Sequence, residues 1–229
     1  MMTKSKTFYT LMVKKRMSKI YLCSPKKYDG CEHLPMIEFK RVVNTLDLDE
    51  FDAIIFTSKQ AIVYANEINS SWKSKKILAV GKATAKIARE LGAKDVYNPK
   101  EFYGKELAKD IISYFANLKI VYLRPKVVAF DSVEFLRKAG VDAKEKIIYE
   151  TNCVEYKNYR LSDDAIIVFT SPSTIDCFFK SFEWKSSYKA VVIGKSTLKS
   201  LNRAVVAYVA NEPTIDSCVE KAQELLRNC

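Results

Sequence analysis

The chain carries the same short text twice. Ile54-Ile55-Phe56-Thr57-Ser58 recurs 113 residues on as Ile167-Val168-Phe169-Thr170-Ser171. At the same offset Ala79-Val80-Gly81-Lys82-Ala83-Thr84-Ala85-Lys86 recurs as Val192-Ile193-Gly194-Lys195-Ser196-Thr197-Leu198-Lys199, so no gap separates the two motifs. One residue out of that register, Pro99 answers Pro213. Solenoid repeats have periods of about 20–50 residues. A period of 113 is the size of a domain, so the 229 residues hold two similar domains rather than one large one.

The text between the repeats sets the fold class. Short runs rich in Ile, Val and Phe at 20–24, 53–57, 76–80, 119–123, 165–169, 190–193 and 205–208 read as strands. Between them, helical patterns lie at 59–68, 83–91, 104–114, 131–139, 172–182, 197–201 and 215–226. Strand–helix alternation predicts an α/β fold with mainly parallel sheets flanked by helices. Runs such as Ala165-Ile166-Ile167-Val168-Phe169 fit strands buried on both faces. Two stretches, 36–43 and 146–157, are extended without a helical period, and they flank one whole repeat. They predict a two-stranded β-ladder joining two lobes, with the first strand belonging to the second repeat. The expected boundaries are 1–16 as a disordered basic extension, 17–37 with 152–229 as one lobe, and 38–151 as the other.

Charge and composition remove several function classes. The net charge is +11, but residues 1–19 hold six Lys and Arg and no acid, which leaves +5 for the rest. That surplus suits an anionic small molecule better than a long duplex. No apolar run approaches the ~20 residues of a membrane span. The apolar stretch 8–13 is short, and Lys14-Lys15-Arg16 follows it without a cleavage site, so no export signal is read and both Met1 and Met17 stay open as starts. The single His33 excludes His-rich metal sites, and the six cysteines form no Cys-x-x-Cys pair. Without an export signal the cysteines are expected to be reduced thiols and the location cytoplasmic.

Ser58 and Ser171 are placed as N-caps, and Pro172 at the first helical position. Gly81-Lys82-Ala83-Thr84 and Gly194-Lys195-Ser196-Thr197 open helices too, with Gly allowing a tight turn and the Thr hydroxyl free to donate to a carboxylate. Neither is a phosphate-binding P-loop, because the first Gly and its spacing are missing. Each domain thus has two strand-to-helix turns at the carboxyl edge of its sheet, where open α/β sheets bind ligands. Lobes facing one another would line a cleft with helix N-termini, which attract anions. Lys26, Lys59, Lys82, Lys105, Arg124, Lys126 and Lys195 lie near these turns; each alone reads as a solvated surface charge, and together they would recruit a polyanion. Tyr149, in Ile147-Ile148-Tyr149-Glu150-Thr151, lies on the extended connector.

In this order and spacing, these motifs resemble those of the uroporphyrinogen-III synthase family. The resemblance runs from residue 20 to 226 and includes Val121-Tyr122-Leu123-Arg124-Pro125 and Ala210-Asn211-Glu212-Pro213-Thr214. It implies two α/β lobes joined by a two-stranded ladder. One departure stands out: the family's helix between first strand and ladder has no room in the short, polar stretch 25–35. The implied reaction is cyclisation of hydroxymethylbilane, a linear tetrapyrrole with eight carboxylates, to uroporphyrinogen III with inversion of ring D and loss of water. The resemblance implies no metal or organic cofactor. It makes Tyr149 the candidate to assist hydroxyl departure, and Thr84, Ser171 and Thr197 candidate carboxylate contacts. Ser58 follows from the repeat, and Lys82, Lys195 and Arg124 from their place beside the motifs. A monomer is expected, with no nucleic-acid or membrane partner; a transient contact with the preceding pathway enzyme is left open. The alternative reading is a two-lobed cytosolic sensor that binds an anionic ligand without turnover, with a nucleic-acid-binding module third.

Overall fold

A computed structural model of the chain describes residues 19–101, 103–128, 130–201 and 205–227. The basic extension 1–16 lies outside the described residues. Among those described, the chain divides into two compact units. Unit 1 takes the chain up to Ile37 together with residues from Cys153 onward, and unit 2 is Glu38–Asn152.

Unit 2 contains a six-stranded sheet in the order β3-β8-β7-β4-β5-β6. Its strands are β3 (Ile37–Arg41), β4 (Ala53–Phe56), β5 (Lys76–Ala79), β6 (Val96–Tyr97), β7 (Ile120–Pro125) and β8 (Ala143–Cys153). From β8 through β6 all neighbours are parallel. On the β3 side, Val42 donates to the Ile148 carbonyl and Val154 to that of Met36, a pairing that runs antiparallel. Both passages of the chain between units, at Ile37/Glu38 and Asn152/Cys153, therefore fall on neighbouring strands.

The alternation along β4 shows why the strand reads as continuously apolar. Ile54 and Phe56 join a core with Ala61, Ile62, Trp72 and Ala85; Ala53 and Ile55 join the opposite core with Leu107, Ile111, Val133 and Leu136. Successive side chains point to opposite faces, and here both faces are covered. The first face is covered by α1 (Lys59–Ile68) and α2 (Lys82–Glu90), the second by α3 (Gly104–Tyr114) and α4 (Ser132–Lys138). The last two turns of chain in α2 and α4 end alike. Gly92 and Gly140 have φ of 105° and 83°, and each following residue donates back five positions, Ala93 to Ala88 and Val141 to Leu136. This is the Schellman arrangement, in which the left-handed residue is normally glycine.

Unit 1 has a five-stranded, wholly parallel sheet in the order β11-β10-β9-β1-β2. Its strands are β1 (Ile20–Cys23), β2 (Glu32–His33), β9 (Ile166–Phe169), β10 (Lys189–Val192) and β11 (Ala207–Val209). The first strand pairs with β9 along its whole length, Ile20 with Ile166 through Cys23 with Phe169, so it is built into the second repeat's sheet. Its helices are α5 (Pro172–Ser181), α6 (Lys195–Lys199) and α7 (Ile215–Arg227). The stretch 25–35 contains no helix but the two-residue edge strand β2, and the Tyr28 hydroxyl ties it to Asp216 of α7 at 2.7 Å.

Three expectations need correcting. Gly81 (φ −142°) and Gly194 (φ 178°) are extended, a conformation any residue adopts, so neither makes a tight turn. The edge strands β2 and β6, and a 3₁₀ turn at Ser70–Ser74, add to the expected elements. The cysteines are not all reduced: Cys153, at the end of β8, is bonded to Cys177 of α5. Their Cα atoms lie 5.2 Å apart, within the reach of a disulfide.

Candidate active site

The carboxyl edge of unit 2's sheet collects the polar groups of the first repeat. Ser58 lies two residues past β4 in extended conformation, and its Oγ accepts from the Ala61 amide 3.1 Å away, capping α1 as the sequence predicted. The same oxygen lies 2.9 Å from the Tyr149 hydroxyl, although Tyr149 enters on β8, two strands away in the sheet.

A local irregularity makes that meeting possible. The β7–β8 register steps regularly from Ile120–Ala143 to Arg124–Ile147 and then shifts, pairing Pro125 with Tyr149. Ile148 is the extra residue, and consequently Ile148 and Tyr149 both join the α1–α2 core. A bulge re-aims a side chain in this way. The Tyr149 ring is 4% exposed, with Phe39 and Tyr64 each 5.8 Å from it, centroid to centroid. Burial pushes its phenol up, opposed by the Ser58 hydrogen bond, so the group is a proton donor at neutral pH.

On the other face of the same edge lies a cavity of about 320 Å³. Thr57, Ser58 and Tyr122 supply its polar lining, and Pro125, Val127, Val128 and Phe130 much of the rest. Val127 is 82% exposed, a large apolar side chain left in solvent at the rim. Tyr149 is not among the lining residues.

The remaining sequence-predicted residues fall as follows. Thr84 and Thr197 occupy the third position of α2 and α6, both buried, and neither hydroxyl has a hydrogen-bond partner among the described residues. Lys82 and Lys195, the first residues of those helices, are exposed. Ser171 caps α5 in a closed capping box: its Oγ accepts from the Thr174 amide, and Thr174 Oγ1 accepts from the Ser171 amide. Arg124 is turned into its own unit. Its Nε and Nη2 donate to both oxygens of Glu145 at 2.8 and 3.2 Å, and Nη1 donates to the carbonyls of Pro125 and Lys126. That guanidinium shapes the turn after β7. Thr57 and Tyr122 are the residues the sequence reading passed over. Their signal was a lone tyrosine inside an apolar strand, since a buried Tyr hydroxyl must find a partner.

No helix among the described residues is long and apolar enough to cross a membrane. The profile of the uroporphyrinogen-III synthase HemD family matches residues 31–220. The chain is similar to a porphyrin biosynthesis protein HemD of Ruminiclostridium josui, 27% identical over 219 residues. That match takes in 88% of this chain and 44% of the relative, so the chain spans less than half the length of the curated protein it matches. The fold is also that of a uroporphyrinogen-III synthetase from Helicobacter pylori, with a TM-score of 0.76 and 24% identity over 91% of this chain and 100% of that one. A mutant uroporphyrinogen III synthase of Thermus thermophilus superposes with a TM-score of 0.61 at 13% identity, over 93% of this chain and 100% of that one. With the profile spanning most of the chain, the protein belongs to the uroporphyrinogen-III synthase family.

Proposed function

We propose that this chain closes hydroxymethylbilane to uroporphyrinogen III, with inversion of ring D and loss of water, as a lyase of heme biosynthesis. The observation that carries the reading, beside family membership, is the Tyr149–Ser58 pair: a phenol kept protonated by burial, joined to a hydroxyl that lines an open cavity. In the first step the pyrrole nitrogen of ring A pushes out the hydroxyl, and the pair supplies the proton that lets it leave as water. Because Tyr149 does not line the cavity, its proton reaches the substrate through Ser58. The azafulvene left behind is attacked by ring D through its substituted carbon. The resulting spiro intermediate breaks its bond to the methylene next to ring C, and recloses through the unsubstituted carbon. Loss of a proton from that carbon restores the aromatic ring and balances the one supplied at the start.

Holding the substrate is the larger task, since closure without inversion competes, and positioning contributes strongly to rate. Thr84 has a hydroxyl without a hydrogen-bond partner among the described residues, and Lys82 lies exposed at the start of α2; both are assigned to substrate carboxylates. Ser171, Thr197 and Lys195, at the corresponding strand ends of unit 1, are assigned the same task. Arg124 is left out, because Glu145 and two carbonyls occupy it. We take the active form to be a cytoplasmic monomer. The test is incubation with hydroxymethylbilane generated in situ, oxidation of the products and separation of the isomers. The type III isomer should dominate; tight binding of the tetrapyrrole without any change in its rate of closure would favour the ligand-sensor reading.

A further inference from the structure

The two copies of Phe-Thr-Ser are used differently, and the difference lies in the threonine. In unit 1 the Thr170 hydroxyl donates to the Cys23 carbonyl at 2.9 Å, which uses its one proton on the backbone of the neighbouring strand. In unit 2 the Thr57 hydroxyl meets the Tyr122 hydroxyl at 2.7 Å instead. Each of these groups carries one proton and can also accept. One proton is consumed between them, whichever donates. The other has no partner among the described residues, and both oxygens belong to side chains that line the same cavity. Tyr122 is 3% exposed, so its hydroxyl is held by the packing of the sheet and not by a mobile stem. Burial also pushes its phenol up, which keeps the pair fully protonated at neutral pH. Around it, Val127, Val128 and Phe130 give the cavity an apolar wall. A buried donor without a partner beside an apolar wall fits a flat ring bearing an acceptor at its edge.

We propose that Tyr122, paired with Thr57, is a second substrate-contacting hydroxyl, donating to a carboxylate arm of the pyrrole ring that lies against Val127, Val128 and Phe130. This rests on the synthase reading for the identity of the ring. It differs from the role of Tyr149, whose hydroxyl sits on the opposite face of the sheet edge and acts on the departing water. A carboxylate contact is made equally in ground and transition states, so its loss raises KM and leaves kcat alone.

Tyr122→Phe deletes only the hydroxyl. Expected is a rise in KM of about tenfold, the effect of one hydrogen bond to a charged group, with kcat within about twofold and the proportion of type III isomer unchanged. Binding of uroporphyrin III, the stable oxidised octacarboxylate, should weaken by the same factor in calorimetry. Thr57→Val is the second variant, which covers any loss of fold in the first; it should weaken binding by a smaller factor, and the double variant should be no worse than Tyr122→Phe. Binding and KM within twofold of wild type in a folded Tyr122→Phe protein would overturn the assignment. A wild-type protein that binds uroporphyrin III but leaves hydroxymethylbilane to close spontaneously would sink the synthase reading while the contact stands. A wild type that neither binds nor turns over would overturn both.

Discussion

Replacing Tyr149 by phenylalanine removes one oxygen and leaves the ring where it packs, against Phe39 and Tyr64. Ser58 loses a partner at 2.9 Å but keeps the Ala61 amide, so the cap of α1 survives. The net worth of such a hydrogen bond is about 0.5–1.5 kcal/mol. For a chain of 229 residues that is a fall in Tm of about 2–4 °C per kcal/mol. Activity should fall further. A general acid contributes typically 10²–10⁴-fold, and a hydroxyl on a pyrrole methylene departs readily, so a kcat loss of about 100-fold, or less, is expected, with KM little changed. Ser58→Ala gives the contrasting pattern, because it deletes the helix cap as well, at a cost of about 0.5–2 kcal/mol. It should melt lower than Tyr149→Phe. The assay is a stopped reaction read by isomer chromatography, run beside thermal melts of the same preparations. A Tyr149→Phe protein with kcat within twofold of wild type and a lowered Tm would show that Tyr149 is a packing residue, and the proton-transfer reasoning would be wrong.

Reduction of Cys153–Cys177, which closes a loop 24 residues long, should cost unit 1 about 3 kcal/mol on the chain-entropy account. With Trp72 changed to Phe, fluorescence of Trp184 reports unit 1, and its urea transition should move to lower denaturant with dithiothreitol; six free thiols in the denatured, unreduced protein would refute the pairing. Gly140→Ala should lose about 1–2 kcal/mol, because φ is 83° and no neighbour stands within 4 Å to gain from a methyl group; a melt within 1 °C or so of wild type would contradict that. In alkali, Tyr97 is the group to follow: burial and its hydrogen bond to Asp110 push the phenol up to about 12 from 10.0. A raised pKa means the stability is fully present below pH 10 and lost as pH rises toward 12; Tyr97→Phe should flatten that loss in a pH series of urea melts.

Much of this architecture was legible in the letters. Helices α1 and α3 span the residues on which their apolar period placed them, and β9 was marked as doubly buried by an unbroken apolar run. The two-residue strands β2 and β6 were invisible because a pair of residues carries no period; their neighbours in the sheet define them. The Cys153–Cys177 bond depends on how the end of β8 meets α5, which spacing alone does not give. At the site, Ser58 and Tyr149 were each legible, one from the repeat and one from family resemblance. Their contact was not, because it depends on a one-residue bulge between β7 and β8. Arg124 looked free beside its motif, yet Glu145 stands opposite the same strand segment and takes Nε and Nη2 of its guanidinium, while two backbone carbonyls take Nη1. The difference between Thr57 and Thr170 is likewise a property of neighbouring strands: a tyrosine hydroxyl lies beside one and a backbone carbonyl beside the other.

The claim that this chain inverts ring D while closing the macrocycle can be read from one bond. Hydroxymethylbilane is prepared with adjacent ¹³C labels on the methylene between rings C and D and on the ring D carbon bonded to it. Inversion breaks that bond and remakes the methylene's link at the other α-carbon of ring D, so the one-bond carbon–carbon coupling should vanish from the product as fast as substrate is consumed. Retention of the coupling in the enzymatic product, at a rate above spontaneous closure or equal to it, would contradict the account.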